Sequence, residues 1–239
     1  MQLFFQPDLD SNSTSVGFDK DESRHITRVL RKSTGDVIHI TNGKGLLFTG
    51  ELGLVEPKHC EAYITKVEKL PALSYRLHMA VAPTKSNDRF EWFLEKATEL
   101  GISTITPLLC DHSERKQINW ERYNKIVVSA MKQSLQTYLP ELNELTAFKD
   151  FVSNQAKLKG LKAIAHCEDG AKEPLKDLVN NEQQQIDVLI LIGPEGDFST
   201  EEIAFAAEAG FVPVSLGTQR LRTETAAIAA CHTLALHHG

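Results

Sequence analysis

The period of the apolar positions changes near residue 70. Before it, Val37-Ile38-His39-Ile40, Leu46 to Leu52 and Ala62 to Val67 are short runs of β-branched, aromatic and leucine side chains. Asn42-Gly43, Gly45 and Pro57 punctuate them, which predicts a small antiparallel sheet or barrel. Ahead of these runs, Asp21 to Lys32 reads as a short helix with acidic residues at its start and basic ones at its end, a polarity that suits the helix dipole. Beyond Leu70-Pro71, strand-like and helix-like runs alternate. Tyr75 to Ala82, Thr104 to Leu109, Lys162 to Cys167 and Ile186 to Ile192 are predicted strands. Asp88 to Leu100 is a predicted helix, with Phe90, Phe93, Leu94, Ala97 and Leu100 on one face and Gly101 as its stop. A second helix is capped by Asn119 and runs through Tyr138 to Pro140. Such alternation predicts an α/β domain with a mainly parallel sheet over residues 71–239, after a β domain over residues 1–70.

The chemistry concentrates between Leu189 and Ala227. Ile186 to Ile192 is too short and too uniformly apolar for a globular helix, so it reads as a strand buried on both faces. Gly193-Pro194-Glu195-Gly196-Asp197 then falls at a strand's carboxyl end, where open α/β sheets bind ligands. Ser199 with Glu202 forms a capping box, Gly210 stops the helix, and Val212 to Leu216 returns as a strand. A second loop follows from Leu216 and Gly217 through Arg220, Leu221 and Arg222, with Thr223 as N-cap and Glu224 near the positive end of an alanine-rich helix over residues 226–236. Glycine at both strand ends lets a ligand approach the backbone closely.

Charge and composition narrow the partners. The formal net charge of −6, from 26 Lys and Arg against 32 Asp and Glu, argues against indiscriminate nucleic-acid binding but leaves room for a local basic patch. Arg24, Arg28 and Arg31 recur at helical spacing, with His25 and Lys32 beside them, so this face is either a solvated surface or an RNA-facing edge. Cys60, Cys110, Cys167 and Cys231 are scattered and form no CxxC, so they read as small, reduced, partly buried side chains. His232, His237 and His238 cluster only at the chain end, and no metal site is expected. No run of 18 or more apolar residues occurs, and MQLFFQPDLD lacks a basic leader with a long apolar core, which predicts a cytoplasmic protein with no membrane partner.

The two loops, LIGPEGDFSTEE and LGTQRLRTETA, resemble the paired cofactor loops of the RsmE (ribosomal RNA small subunit methyltransferase E) family of the SPOUT superfamily. RHITRVLR is similar to the start of that family's PUA-like RNA-binding domain, a small β-barrel. Residues 89–101, which end in EKATELG, together with Ser113-Glu114-Arg115 and Gln133, Ser134 and Pro140, follow its pattern through the middle of the chain. The resemblance implies a C-terminal trefoil knot around S-adenosyl-L-methionine, a homodimer, and methylation of N3 of a uridine in small-subunit (16S) ribosomal RNA, free or in the assembled subunit. It implies a cofactor site at Gly193, Pro194, Glu195, Gly196, Leu216, Gly217, Leu221, Arg222, Thr223 and Thr225, and RNA contacts at Arg24, His25, Arg28, Arg31, Lys32, Arg115 and Arg220. Three departures stand out. Asp197 replaces the final glycine of the commoner GPEGG, Gln219 and Arg220 stand where Arg and Ile are usual, and Gln136 stands where Arg is usual.

Uridine N3 carries a proton at neutral pH, so methylation there requires its removal. Glu224 and Glu114 are the candidate bases, and Arg222 and Arg115 are candidates to stabilise the uracil anion. Glu224 serves equally as a helix N-terminal residue. Two other classes compete: an RNA-binding protein with a non-catalytic cofactor pocket, whose signature is cofactor binding without transfer, and an enzyme using the glycine loops for nucleotide phosphates. The chain lacks GxxxxGK[ST], and neither loop fits GxGxxG.

Overall fold

A computed structural model describes residues 2–180 and 186–238. The chain divides into two compact units, Met1–Ala72 with Met131–Leu139, and Leu73–Ala130 with Pro140–Gly239. The linear division at residue 70 does not include the return of 131–139 to the first unit.

In the first unit the strands are β1 (Leu3–Phe5), β2 (Ser15–Phe18), β3 (Val37–Thr41), β4 (Leu46–Glu56) and β5 (His59–Lys69), in the order β1-β3-β4-β5-β2. Only the β1–β3 pair is parallel. Alternation along β4 and β5 turns Phe48, Leu52, Cys60 and Ala62 inward, where they meet Phe4, Phe18, Ile26, Ile38 and Ile40 in one core. Helix α1 (Lys20–Arg24) starts at Asp19, whose carboxylate accepts the Glu22 amide at 2.8 Å, and runs on as a π-helical turn over His25–Val29. The returning segment is bound by its polar groups. Tyr138 donates to the Leu70 carbonyl at 3.0 Å, Thr41 donates to the Thr137 carbonyl at 3.2 Å, and Lys132 pairs with Glu22.

The second unit contains β6 (Tyr75–Val81), α2 (Asn87–Glu99), β7 (Thr104–Leu109), α3 (Trp120–Gln133), β8 (Glu141–Leu142), β9 (Thr146–Ala147), α4 (Phe148–Asn154), β10 (Leu161–Ala165), β11 (Glu173–Pro174), α5 (Leu175–Val179), β12 (Ile186–Ile192), α6 (Thr200–Glu208), β13 (Val212–Ser215) and α7 (Thr223–His238). The last turn of α3 groups with the first unit. The sheet order is β11-β13-β10-β12-β6-β7-β8, with β9 beside β7, and every pair is parallel. Val188 through Ile192 are at most 2% exposed, which is why the β12 run is apolar at successive positions. Burying each such side chain contributes about 1.5–3 kcal/mol.

This topology positions the site. Parallel pairing brings the carboxyl ends of β13, β10 and β12 to one edge, so the loops that follow them open side by side. The chain leaves β12 through α6 and returns as β13 on the far side of β10, which makes this the point where sheet growth reverses.

Several expected boundaries move. The helix expected over residues 21–32 ends in the π-helical turn, and Arg31 lies beyond it at φ +53°, so Arg24, Arg28 and Arg31 do not share one helical face. The helix expected through Tyr138 stops at Gln133, because Leu135 takes φ +58° and turns the chain. Asn119 does cap it, accepting the Arg122 amide at 3.0 Å. Gly101 and Gly210 both stop their helices at φ +84°. The predicted strands beginning at Lys162 and Val212 end at Ala165 and Ser215. No helix among the described residues is long and apolar enough to cross a membrane.

Candidate functional site

The loops after β10, β12 and β13 border a cavity of about 740 Å³. That size falls within the range of small-molecule sites. Its wall combines the apolar side chains of Ile192, Pro194, Val214, Leu216 and Leu221 with Lys172, Arg220 and Arg222 opposite Glu195 and Asp197. Of the expected cofactor residues, Gly193, Pro194, Glu195, Leu216, Gly217, Leu221, Arg222 and Thr223 line it, and Arg220 joins them. Gly196 and Thr225 do not line it, and both are exposed.

The loop after β12 is held from several sides. A Cβ on Gly193 would lie 3.1 Å from the Phe198 ring and 3.2 Å from the Phe198 nitrogen, so the glycine permits close packing there. Asp197, not Gly196, takes the left-handed conformation, at φ +63°. That backbone disfavours a side chain, and the Asp197 carboxylate offsets the strain by accepting the Phe198 amide at 2.9 Å and the Cys167 amide at 2.6 Å. His112 Nδ1 lies 3.0 Å from both the Gly196 and Asp197 carbonyls, so it is the protonated ring nitrogen and donates to them. Glu195 accepts the Lys85 amide at 3.0 Å.

The two glycine loops are also joined to each other. Thr223 is the first helical residue of α7 rather than an N-cap, and its buried hydroxyl donates to the Gly193 carbonyl at 3.0 Å. The Ser199–Glu202 capping box forms as expected, and Glu202, 1% exposed, further accepts the Asp111 amide at 3.0 Å. This ties the β7 loop to the start of α6.

Neither candidate base borders the cavity. Glu224 is buried in the first turn of α7, with Oε1 4.0 Å from Arg89 Nε and Oε2 without a partner among the described residues. Glu114 is exposed and pairs with Lys85 at 2.7 Å. Arg115 is half-buried and donates to the Thr84 and Lys85 carbonyls at 3.0 and 2.8 Å, so most of its guanidinium serves the backbone. In the first unit Arg24, Arg28 and Arg31 are exposed, Lys32 donates to the Val37 carbonyl at 3.3 Å, and His25 sits edge-on to Phe4.

Two further cavity residues carry no local sequence signal. His166 and Lys172 line the wall from the β10 loop, which has no glycine at its strand end. Burial and the Lys172 charge hold the His166 imidazole below its ordinary pKa, against the pull of Asp197 and Glu168. Cys167 beside it is exposed, unlike the other three cysteines. Among the described residues no group of three or more potential metal ligands occurs.

Residues 71–235 match the RNA methyltransferase domain and residues 18–65 the RNA methyltransferase PUA domain. The chain is 30% identical to ribosomal RNA small subunit methyltransferase E of Buchnera aphidicola from Acyrthosiphon pisum, over 98% of this chain and 92% of that protein. A crystal structure of a probable rRNA methyltransferase from Porphyromonas gingivalis matches with a TM-score of 0.88 at 37% identity, covering 99% of each chain. Ribosomal RNA small subunit methyltransferase E from Neisseria gonorrhoeae, crystallised with S-adenosyl methionine, matches with a TM-score of 0.86 at 27% identity, covering 99% of this chain and 97% of that one.

Proposed function

This chain belongs to the ribosomal RNA small subunit methyltransferase E family, and from that premise we propose that it methylates N3 of a uridine in 16S ribosomal RNA with S-adenosyl-L-methionine. One observation supports this reading above the others: three strand-end loops at the reversal point of a parallel sheet share one cavity, with Gly193 and residues 216–223 in its wall. A family-typical cofactor fits the donor set there, which offers backbone groups, an apolar wall for a nucleoside and charges of both signs for a zwitterionic tail.

S-adenosylmethionine, when bound, supplies an electrophilic methyl group. The protein's part is then orientation and charge. Gly193, Leu216, Leu221 and Thr223 hold the cofactor through backbone and packing, and the exposed Arg222 stabilises the uracil anion at the cavity edge. Glu195 and Asp197 are already engaged with backbone amides, and Glu224 and Glu114 lie off the cavity, so the N3 proton leaves to water at this open edge. Arg24, Arg28 and Arg31 of the first unit contact RNA, and the protein acts as a cytoplasmic homodimer whose C-terminal chain is knotted. The test is to incubate the full chain with labelled S-adenosylmethionine and small ribosomal subunits and map the label. Label on a uridine N3 supports the reading, and cofactor binding with no transfer to any subunit RNA overturns it.

A further inference from the structure

β10 lies between β12 and β13, with Ala165 in register with both Ile192 and Val214. The next residue, His166, therefore stands between the two glycine loops, in the wall of the cavity. Its backbone neighbour is fixed, because the Cys167 amide is the one that Asp197 holds at 2.6 Å. Yet both ring nitrogens are shielded from solvent and neither has a hydrogen-bond partner among the described residues. A shielded donor or acceptor left unpaired is unfavourable by about 1–3 kcal/mol, and native proteins leave few such groups.

We infer that His166 is a ligand-reading side chain of this cavity, pairing its ring with a neutral donor–acceptor group of the cofactor's adenosine moiety. The inference rests on the proposed cofactor and adds a recognition residue to it. A neutral imidazole offers one N–H and one lone pair. Burial and Lys172 favour that neutral form. Within an adenosine, the ribose hydroxyls and the amine-and-ring-nitrogen edge of the base each present both a donor and an acceptor, so either completes the ring's hydrogen bonding. The cofactor's carboxylate and ammonium groups would each leave one of the two nitrogens unmatched.

Asp197 acts here as a positioning residue. It occupies a left-handed position and uses its carboxylate to anchor the turn that carries His166. Glycine at residue 197 would relax the backbone and release that anchor.

Calorimetry of S-adenosylmethionine binding to the full-length protein tests this, comparing wild type with His166→Phe and His166→Gln. His166→Phe keeps the ring volume and removes both polar atoms. It should weaken binding about tenfold while leaving the ligand-free melting temperature unchanged or raised, since an unpaired buried polar group has been removed. His166→Gln keeps a neutral donor and acceptor and should stay closer to wild type. 2′-Deoxyadenosine and purine riboside separate the two sources: whichever analogue loses affinity in wild type but not further in His166→Phe identifies the group that is read. Wild-type affinity in a folded His166→Phe protein overturns the inference. So does a lowered ligand-free melting temperature with equal loss for adenosine and both analogues, which is the signature of packing alone. Failure of the wild type to bind S-adenosylmethionine at all overturns the proposed cofactor and this inference together.

Discussion

The two units offer candidate contacts of opposite construction. In the second, the cavity is framed by backbone at the ends of three parallel strands, with a glycine packed against Phe198 and loops joined by Thr223 and Asp197. In the first, the candidate contacts are exposed arginines on a short helix that widens into a π turn and ends in a left-handed residue. A small cofactor is read by fixed backbone groups, so single atoms matter. A phosphate backbone is read by long charged side chains whose contributions are individually modest and screened by salt. Perturbations should accordingly produce large, localised effects in the second unit and graded ones in the first.

Acid provides the largest expected contrast. In the second unit, burial pushes His78 down to about 4, and its Nε2 lies 2.7 Å from the Thr106 hydroxyl, which in turn accepts from Asn143. The folded state binds this proton less readily than the unfolded chain, so the stability His78 contributes is present above pH 6.5 and declines as pH falls toward 4. The loss amounts to roughly 3 kcal/mol at about 1.4 kcal/mol per pH unit. In the first unit His59 is raised instead, by its hydrogen bond to Glu61, and is fully exposed, so it opposes this trend only weakly. Urea denaturation at pH 7 and pH 4.5 should show a steep loss in wild type and a shallower one in His78→Gln. Parallel losses in the two proteins would show that His78 is not the group responsible.

The cofactor loops come next in expected size. Gly193→Val pushes a branched side chain into Phe198 and should weaken S-adenosylmethionine binding at least about tenfold, or roughly 1.4 kcal/mol. The same change at Gly196, off the cavity and with its nearest neighbour on His112, should have a smaller effect. Equal affinities for the two variants would mean that the cavity wall does not distinguish these glycines. Thr223→Val removes the hydroxyl that joins α7 to Gly193 and leaves a buried carbonyl unpaired. The expected destabilisation is about 1–2 kcal/mol, read as a shift in the urea midpoint at unchanged slope. An unmoved midpoint would mean that the Gly193 carbonyl finds another donor.

What the sequence made legible follows the same division. Local, backbone-dictated features were readable: the β12 run, the Ser199–Glu202 box, and the stops at Gly101 and Gly210 each depend on residues within one turn or strand. Features formed by distant segments were not. The two-residue strands β8, β9 and β11 exist because a neighbouring parallel strand supplies their hydrogen bonds. The return of residues 131–139 depends on partners such as Leu70 and Thr41. His166 carries no local mark, since its place in the cavity is set by β10 lying between β12 and β13. The Asp at position 197 was visible only as a departure from a family pattern; its left-handed backbone and its bond to Cys167 explain both why glycine is commoner there and how this chain manages without it.

The smallest expected effect, and the one that bears most directly on the contrast between the units, belongs to the arginines of the first. They do not lie on one helical face, yet Arg28 and Arg31 are both exposed, and Arg31 is presented by a turn rather than a helix. Replacing both with Gln should leave the fold intact, because exposed charges contribute little to stability. S-adenosylmethionine affinity should be unchanged, because the cavity is lined wholly by residues of the second unit. Affinity for small-subunit RNA should fall, and the slope of log K against log salt should become shallower by roughly 0.7 to 0.9 for each phosphate left without its arginine. A change in that slope separates the removal of ionic interactions from misfolding, which would lower cofactor affinity as well. If affinity and slope both hold at wild-type values, these arginines are a solvated surface, and the basic contact belongs instead to Arg220 and Arg222 at the cavity edge, where backbone-framed recognition and charge would then coincide.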